Sequence, residues 1–295
     1  MTETAASDRG LIGVTGATGA LGGRVARRLA DAGVPQRLVV RDGSRAPDLA
    51  GAHVATVAGG YRDAAGLRDS LDGVETLFLV SATEDADRMS LHRSSVDAAV
   101  AAGVSRIVYT SFLGASAHCT FTFGRDHFHT EEYIRATGVA HTFLRDSLYV
   151  DVLPYWAGTD GVVRGPAGDG RFAPVTRDDV ADVAAVVLTG GGYDGRSLDL
   201  TGPESITMAE VAAELTAASG RLITYDAETL DQAYASRAVY DAPEWMVAGW
   251  VTTYSAIALG ELDVVSTTVA DVTGHQPLSL RDYLARYPDE VARLR

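Results

Sequence analysis

Lysine is missing from this chain. All 25 basic residues are arginine, so no ammonium can act as a general base, a Schiff-base amine or a clamp on a cofactor ribose. Cysteine is almost missing as well, and the lone Cys119 excludes an intrachain disulfide. Basic charge is short against acidic, 25 residues to 39 for a net charge of −14, which argues against DNA or RNA as a partner. No apolar run approaches bilayer length. The polar, acidic start from Met1 to Gly10 lacks the basic and apolar regions of a secretory signal. Repeats, low-complexity tracts and disordered linkers are absent too. The expectation is a cytoplasmic protein with neither a membrane nor a nucleic-acid partner.

What is present is glycine in one telling place. Val14 to Gly23 reads V-T-G-A-T-G-A-L-G-G, between the apolar run Leu11 to Val14 and an amphipathic segment in which Leu21, Val25 and Leu29 recur every fourth residue. Glycines at a strand-to-helix turn make a seat for a dinucleotide pyrophosphate. Gly16 takes the tight turn, Gly19 lets the backbone approach the phosphates, and Gly22 permits close helix-to-strand packing. Thr18, Ala20 and Leu21 complete the loop, while Arg24, Arg27 and Arg28 are expected to face water.

Strand and helix signals then alternate. Strands are expected at Arg37–Val40, His53–Ala58, Thr76–Val80, Arg106–Thr110 and Thr142–Arg145, and helices at Ala64–Leu71, Asp87–Ala102 and Asp126–Ala136. This rhythm predicts an α/β fold, a Rossmann-type doubly wound parallel sheet of at least six strands. Beyond Tyr149 it changes. Gly158–Pro174 is rich in glycine, a helix resumes at Asp178–Thr189, and a strand follows at Ser197–Leu200. A helix at Thr207–Ser219 stops at Gly220, Arg221–Tyr225 is a strand, and the rest reads as helical to Arg295 apart from extended pieces around Asp263–Thr273. The domain expectation is residues 1–155 for the nucleotide, with 178–200 returning to it, and 156–295 as a smaller C-terminal α+β lobe for the substrate.

The fingerprint G-A-T-G-A-L-G, the pair Val40-Arg41, R-I-V-Y-T-S-F-L-G-A at Arg106–Ala115, the loop G-P-A-G-D-G-R and the closing S-L-R-D-Y-L resemble one family. It is the atypical short-chain dehydrogenase/reductase group of NmrA-like proteins and NAD(P)H:quinone oxidoreductase type 2, and the likeness runs from Leu11 to about Leu284. The resemblance implies an NAD(P)H cofactor and an oxidoreductase activity, although the group also holds sensors that bind the dinucleotide without turning it over. The wider superfamily places Y-x-x-x-K on the helix after the fifth strand. Here Phe123 stands where the tyrosine would be and His127 where the lysine would be. With that proton relay gone, reduction of a simple ketone to an alkoxide is unfavourable, whereas a quinone yields a stable phenolate. The expected acceptor is a quinone or a polycyclic aromatic ring.

Candidate roles follow. His127 can donate to the cofactor ribose in place of the ammonium, and Ser111 lies where the superfamily keeps a substrate-polarising serine. Arg41 can grip a 2′-phosphate, which favours NADP(H) over NAD(H). Tyr61, Val80, Ser81, Thr110 and Ser111 sit at strand ends and are expected along the cofactor. Phe112, Phe123, Tyr149, Tyr155, Trp156 and Phe172 are the aromatic faces for the acceptor. Trp245 and Trp250 read as packing or as contacts of a possible homodimer. His118, Cys119, His127 and His129 crowd together at spacings that fit no zinc pattern, so no metal is expected. Two alternatives stay open: a reduction followed by reaction with oxygen, for a net hydroxylation, and a redox-sensing regulator. The all-arginine, alanine-rich composition has the look of a GC-rich genome, and aromatic natural-product biosynthesis is the setting that goes with it.

Overall fold

A computed structural model describes residues 10–292 and Leu294. The remainder of the Met1–Gly10 segment and the final Arg295 lie outside these residues. The apolar run predicted at Leu11 is strand β1 (Leu11–Thr15), and it pairs in parallel with β2 (Gln36–Val40) and β4 (Val74–Leu79). With β3 (Ala52–Thr56), β5 (Arg106–Phe112), β6 (Ala140–Asp146) and a later strand, Arg196–Leu200, it forms a seven-stranded sheet. Two short pairs complete the strands: β7 (Val162–Gly165), β8 (Arg171–Phe172), β9 being Arg196–Leu200, β10 (Ile206–Thr207) and β11 (Thr224–Ala227). The large sheet runs in the order β3-β2-β1-β4-β5-β6-β9, a Rossmann arrangement with the reversal between β1 and β4.

Helices α1 (Gly22–Asp31), α2 (Ala64–Ser70), α3 (Arg88–Ala101), α4 (Thr122–Thr137) and α6 (Arg177–Thr189) alternate with these strands. Between them lies the short α5 (Leu153–Trp156). On α1 the stripe Leu21, Val25 and Leu29 is buried as its spacing demands. Arg27 faces water, but Arg28 does not simply do so, because its Nε pairs with Asp182 at 2.5 Å. Helix α3 ends at Gly103, which has the positive φ of 83° that a helix stop favours. Helix α4 starts four residues before the expected Asp126.

The later helices are α7 (Met208–Ser219), α8 (Leu230–Arg237), α9 (Glu244–Ala258), α10 (Thr268–Thr273), α11 (Leu280–Arg286) and α12 (Pro288–Ala292). Thr207 and Glu210 close a capping box on α7, and Gly220 ends it in the left-handed region. The extended pieces expected around Asp263–Thr273 are not strands: their second half is α10, closed by Gly274 at φ 79°.

The chain divides into two compact units. The first takes residues 1–111, 129–144 and 180–198; the second takes 112–128, 145–179 and 199–295. The first unit packs Leu77, Ile107, Tyr109, Ile134 and Phe143 into its core, and the second packs Val163, Phe172, Met208, Leu215 and Ile257.

Candidate functional site

The first unit carries the glycine turn. Gly16 holds φ 63°, and a Cβ on Gly22 would stand 2.4 Å from the Gly16 carbonyl oxygen, so the close strand-to-helix approach needs glycine at both. Gly19 differs: its Cβ would meet only the Gly16 carbonyl, at 3.1 Å, and the residue is exposed with Ala20. No side chain caps the start of α1. The positive end of a ten-residue helix without a side-chain cap, with a glycine loop above it, fits the pyrophosphate of a dinucleotide.

Around this turn the strand ends are tied together. The Tyr61 hydroxyl lies 2.7 Å from Thr15 Oγ1 and 2.6 Å from the Val80 carbonyl, and burial pushes the phenol well above its ordinary range. The hydroxyl of Tyr61, a residue expected along the cofactor, thus holds the end of β4 at Val80. The Ser81 N–H donates to Thr110 Oγ1 at 2.7 Å, so Thr110 likewise positions the residue after β4. Beyond it the Ala82 N–H donates to His92 Nε2 at 2.9 Å, and His92 Nδ1 faces Thr130 Oγ1 at 2.7 Å. His92 is fully buried, and its pKa is lowered to about 3 by that burial and by the nearby charge of Arg88. The ring is therefore neutral, with its proton on Nδ1.

Arg41 stands exposed just past β2, against the side of Gly60. Its neighbour Asp42 accepts from Ser44 N and Oγ, which holds the Asp42 carboxyl below its usual range. Arg41 has no ion-pair or hydrogen-bond partner among the described residues, which leaves its guanidinium available to a phosphate. At the end of β5, Ser111 is 3% exposed and its hydroxyl donates to Glu131 Oε1 at 2.6 Å.

The second unit gathers aromatic rings. Phe112 lies 4.7 Å from Phe121 and 6.1 Å from the buried ring of His127. Phe123 sits edge-on to Phe121 and to Trp245, at 5.7 and 6.1 Å. Gly249 makes this possible, since a Cβ there would come within 2.4 Å of Phe123. Trp245 thus packs as expected, and Trp250 packs edge-on to Tyr240. Phe121 was missed in the sequence, although it flanks Phe123 with only Thr122 between. His129 is exposed.

Other expected acceptor contacts are not faces of this cluster. Phe172 is fully buried in the core of the second unit, so no side of its ring is left for a ligand. Trp156 is tilted against Tyr254 at 5.1 Å, and Tyr155 is 60% exposed. The Tyr149 ring is covered on one side by the Arg177 guanidinium, 4.4 Å from its centroid, and its hydroxyl donates to Asp146 Oδ2 at 2.6 Å. Asp146 is 2% exposed and its Oδ1 has no hydrogen-bond partner. Burial pushes its pKa up to about 8, against the opposing pull of Tyr149 and Arg177. A carboxyl that keeps its proton at neutral pH is a donor as well as an acceptor. Arg177 is steadied in turn by Asp151, which accepts its N–H at 2.9 Å.

Comparison with known proteins agrees with this geometry. Residues 16–190 match a family profile described as NAD(P)H-binding. Quinone oxidoreductase 2 of Escherichia coli is 34% identical over 92% of this chain and 96% of its own. The chain belongs to the NmrA-like atypical short-chain dehydrogenase/reductase family. A second member of the family, the (4-alkanoyl-5-oxo-2,5-dihydrofuran-3-yl)methyl phosphate reductase of Streptomyces griseus, is 36% identical over 96% of this chain and 99% of its own. The crystal structure of the E. coli NADPH-dependent quinone oxidoreductase with NADPH superposes with a TM-score of 0.84 at 33% identity, covering 93% of this chain and 99% of that one. Like these relatives, the protein is an NAD(P)H-dependent reductase-like enzyme. No helix among the described residues is long and apolar enough to cross a membrane.

Proposed function

We propose that the protein is an NADPH-dependent reductase of quinones or comparably electron-poor conjugated acceptors, working in the cytoplasm. Bound NADPH supplies a hydride, and the chain supplies position. The glycine turn and the start of α1 hold the pyrophosphate, Arg41 takes the 2′-phosphate, and Tyr61, Thr110 and His92 fix the residues that follow β4. The aromatic residues Phe112, Phe121 and Phe123 offer faces to a planar ring.

The observation that carries this reading is the content of α4. By the family resemblance, Phe123, edge-on to its aromatic neighbours, and the buried His127 stand where the wider superfamily has a phenol and an ammonium. An acceptor reduced here must tolerate the loss of that relay, and a quinone does so because its product is a stabilised phenolate. The named substrates of the two relatives, a quinone and a conjugated furanone, share this electronic character.

The test is oxidation of NADPH by the purified protein with menadione, a hydroxyanthraquinone and cyclohexanone. Turnover of the quinones without the ketone is expected, and equal turnover of the ketone would refute the proposal. A product that has gained an oxygen atom from O2 would show net hydroxylation instead, whereas oxygen uptake without it reports only reoxidation of the hydroquinone. Tight NADPH binding with no oxidation across the panel would leave a sensor.

A further inference from the structure

The strip that follows β4 is held almost wholly by side chains. The Val80 N–H donates to Thr15 Oγ1 at 2.9 Å, and the Val80 carbonyl accepts from the Tyr61 hydroxyl at 2.6 Å. The Ser81 N–H donates to Thr110 Oγ1 at 2.7 Å. Ala82 is gripped at both ends from α3: its N–H donates to His92 Nε2 at 2.9 Å, and its carbonyl accepts from Arg88 Nε at 3.0 Å. Arg88 and His92 lie one turn apart on that helix, and both are buried. Every backbone polar group of Val80, Ser81 and Ala82 thus has a side-chain partner except the Ser81 carbonyl, which has no partner among the described residues. A strand pairs its backbone with neighbouring backbone and an open loop pairs it with water, so this many side chains fix the strip more closely than the sheet requires. Ser81 itself stays partly exposed.

The strip begins against the glycine turn, where a Cβ on Gly16 would stand 3.3 Å from Val80 Cβ, at the reversal of strand order between β1 and β4. Phosphate oxygens only accept hydrogen bonds, so the group of a dinucleotide that suits a carbonyl here is a ribose hydroxyl. We propose that Arg88 and His92 are positioning residues for the cofactor, closing on both ends of Ala82 so that the Ser81 carbonyl is presented to a ribose hydroxyl. This rests on the reading that the glycine turn seats the pyrophosphate. His92 can play its part only with the proton on Nδ1, which faces Thr130 Oγ1 at 2.7 Å, because the other tautomer sets two donors against each other at Ala82.

The experiment measures NADPH affinity by fluorescence titration, and thermal melting without NADPH, for the full-length wild type and the variants His92→Gln, His92→Asn and Arg88→Met. Glutamine carries its oxygen near the place of Nε2 and can still accept from Ala82, whereas asparagine reaches only as far as Nδ1 and its partner Thr130. His92→Asn and Arg88→Met are expected to weaken NADPH binding about five- to tenfold, the worth of one hydrogen bond. His92→Gln is expected to stay within about twofold of the wild type. The two histidine variants separate positioning from packing, because each leaves a polar amide in the same buried place. Equal affinity in the glutamine and asparagine variants overturns the proposal, and so does an affinity that follows melting temperature across all three. Either result, with the wild type binding NADPH, leaves the glycine turn as the cofactor seat. No saturable binding of NADPH by the wild type overturns both.

Discussion

Replacing Asp146 by asparagine should make the protein more stable at alkaline pH and leave it nearly unchanged in acid. The carboxyl is 2% exposed, one oxygen accepts from Tyr149 and the other has no partner, and its pKa stands at about 8 in place of 3.8. Below pH 4 the group is protonated in both the folded and the unfolded chain, so its contribution to stability is fully present. As the pH rises the unfolded chain ionises first, the proton held by the folded chain becomes a penalty, and the contribution is lost up to about pH 8. At about 1.4 kcal/mol for each tenfold change in proton affinity, the full loss is roughly 5 to 6 kcal/mol. Asparagine keeps the acceptor for Tyr149 and places an uncharged N–H₂ where the protonated oxygen stood, so it mimics the protonated acid without titrating. Urea unfolding of wild type and Asp146→Asn, at intervals from pH 4 to pH 9, isolates this group, because every other titration cancels in the difference. The difference should favour asparagine increasingly with pH and level off above about pH 8. A difference that stays flat across the range would refute the reasoning, since it would mean that Asp146 ionises alike in both states.

Four further outcomes can be measured. Arg41→Ala should raise KM for NADPH by about 10- to 100-fold, the cost of a lost charged hydrogen bond, and leave KM for NADH within about twofold; equal losses for both would remove the phosphate role. Gly22→Ala, whose Cβ would meet the Gly16 carbonyl at 2.4 Å, should cost about 1 to 3 kcal/mol of overpacking in a thermal or urea melt, whereas Gly19→Ala, at 3.1 Å from the same carbonyl, should cost less than that and bind NADPH more weakly. His92, with its pKa lowered to about 3, opposes folding as the pH falls below 6.5, because the unfolded chain takes up a proton that the folded one refuses. His92→Gln should therefore show a shallower loss of stability between pH 6.5 and 4, checked by the same urea series. Gly249→Ala should drive Phe123 from its place, 2.4 Å from the new Cβ, and raise KM for quinones more than KM for NADPH.

The first unit was legible because its signals are local. The turn at Gly16 and the stop at Gly103 are read from neighbouring residues, and both glycines hold positive φ. The start of α4 was misplaced because Thr122 to Arg125 shows no apolar period of its own; Phe123 is seated by Trp245 and Gly249, far away in the chain. The α10 segment misled through its β-branched threonines and valine, whose strand preference is overridden by a closing Gly274 and by the Thr267–Asp271 hydrogen bond. Glu131 and Asp146 went unnoticed for a related reason. A carboxylate in a sequence reads as surface, and only the partners brought by the fold, Ser111 and Arg135 for one and Tyr149 for the other, show that it is buried. Phe172 erred in the opposite direction, since an aromatic in a glycine-rich loop looks available until the strand pairing of β8 with β10 encloses it.

The glycines of the first turn answer to different demands, and descent can separate them. Gly22 is required by the distance between a helix and its own strand, a constraint that persists whether or not a dinucleotide is ever bound. Gly19 meets the same carbonyl only at 3.1 Å, a contact that a small shift relieves, so a bound ligand makes the larger demand there. A descendant of this protein that had abandoned its cofactor would be free to replace Gly19 and still obliged to keep Gly22, and the order in which such glycines are lost would record when a reductase had become something else.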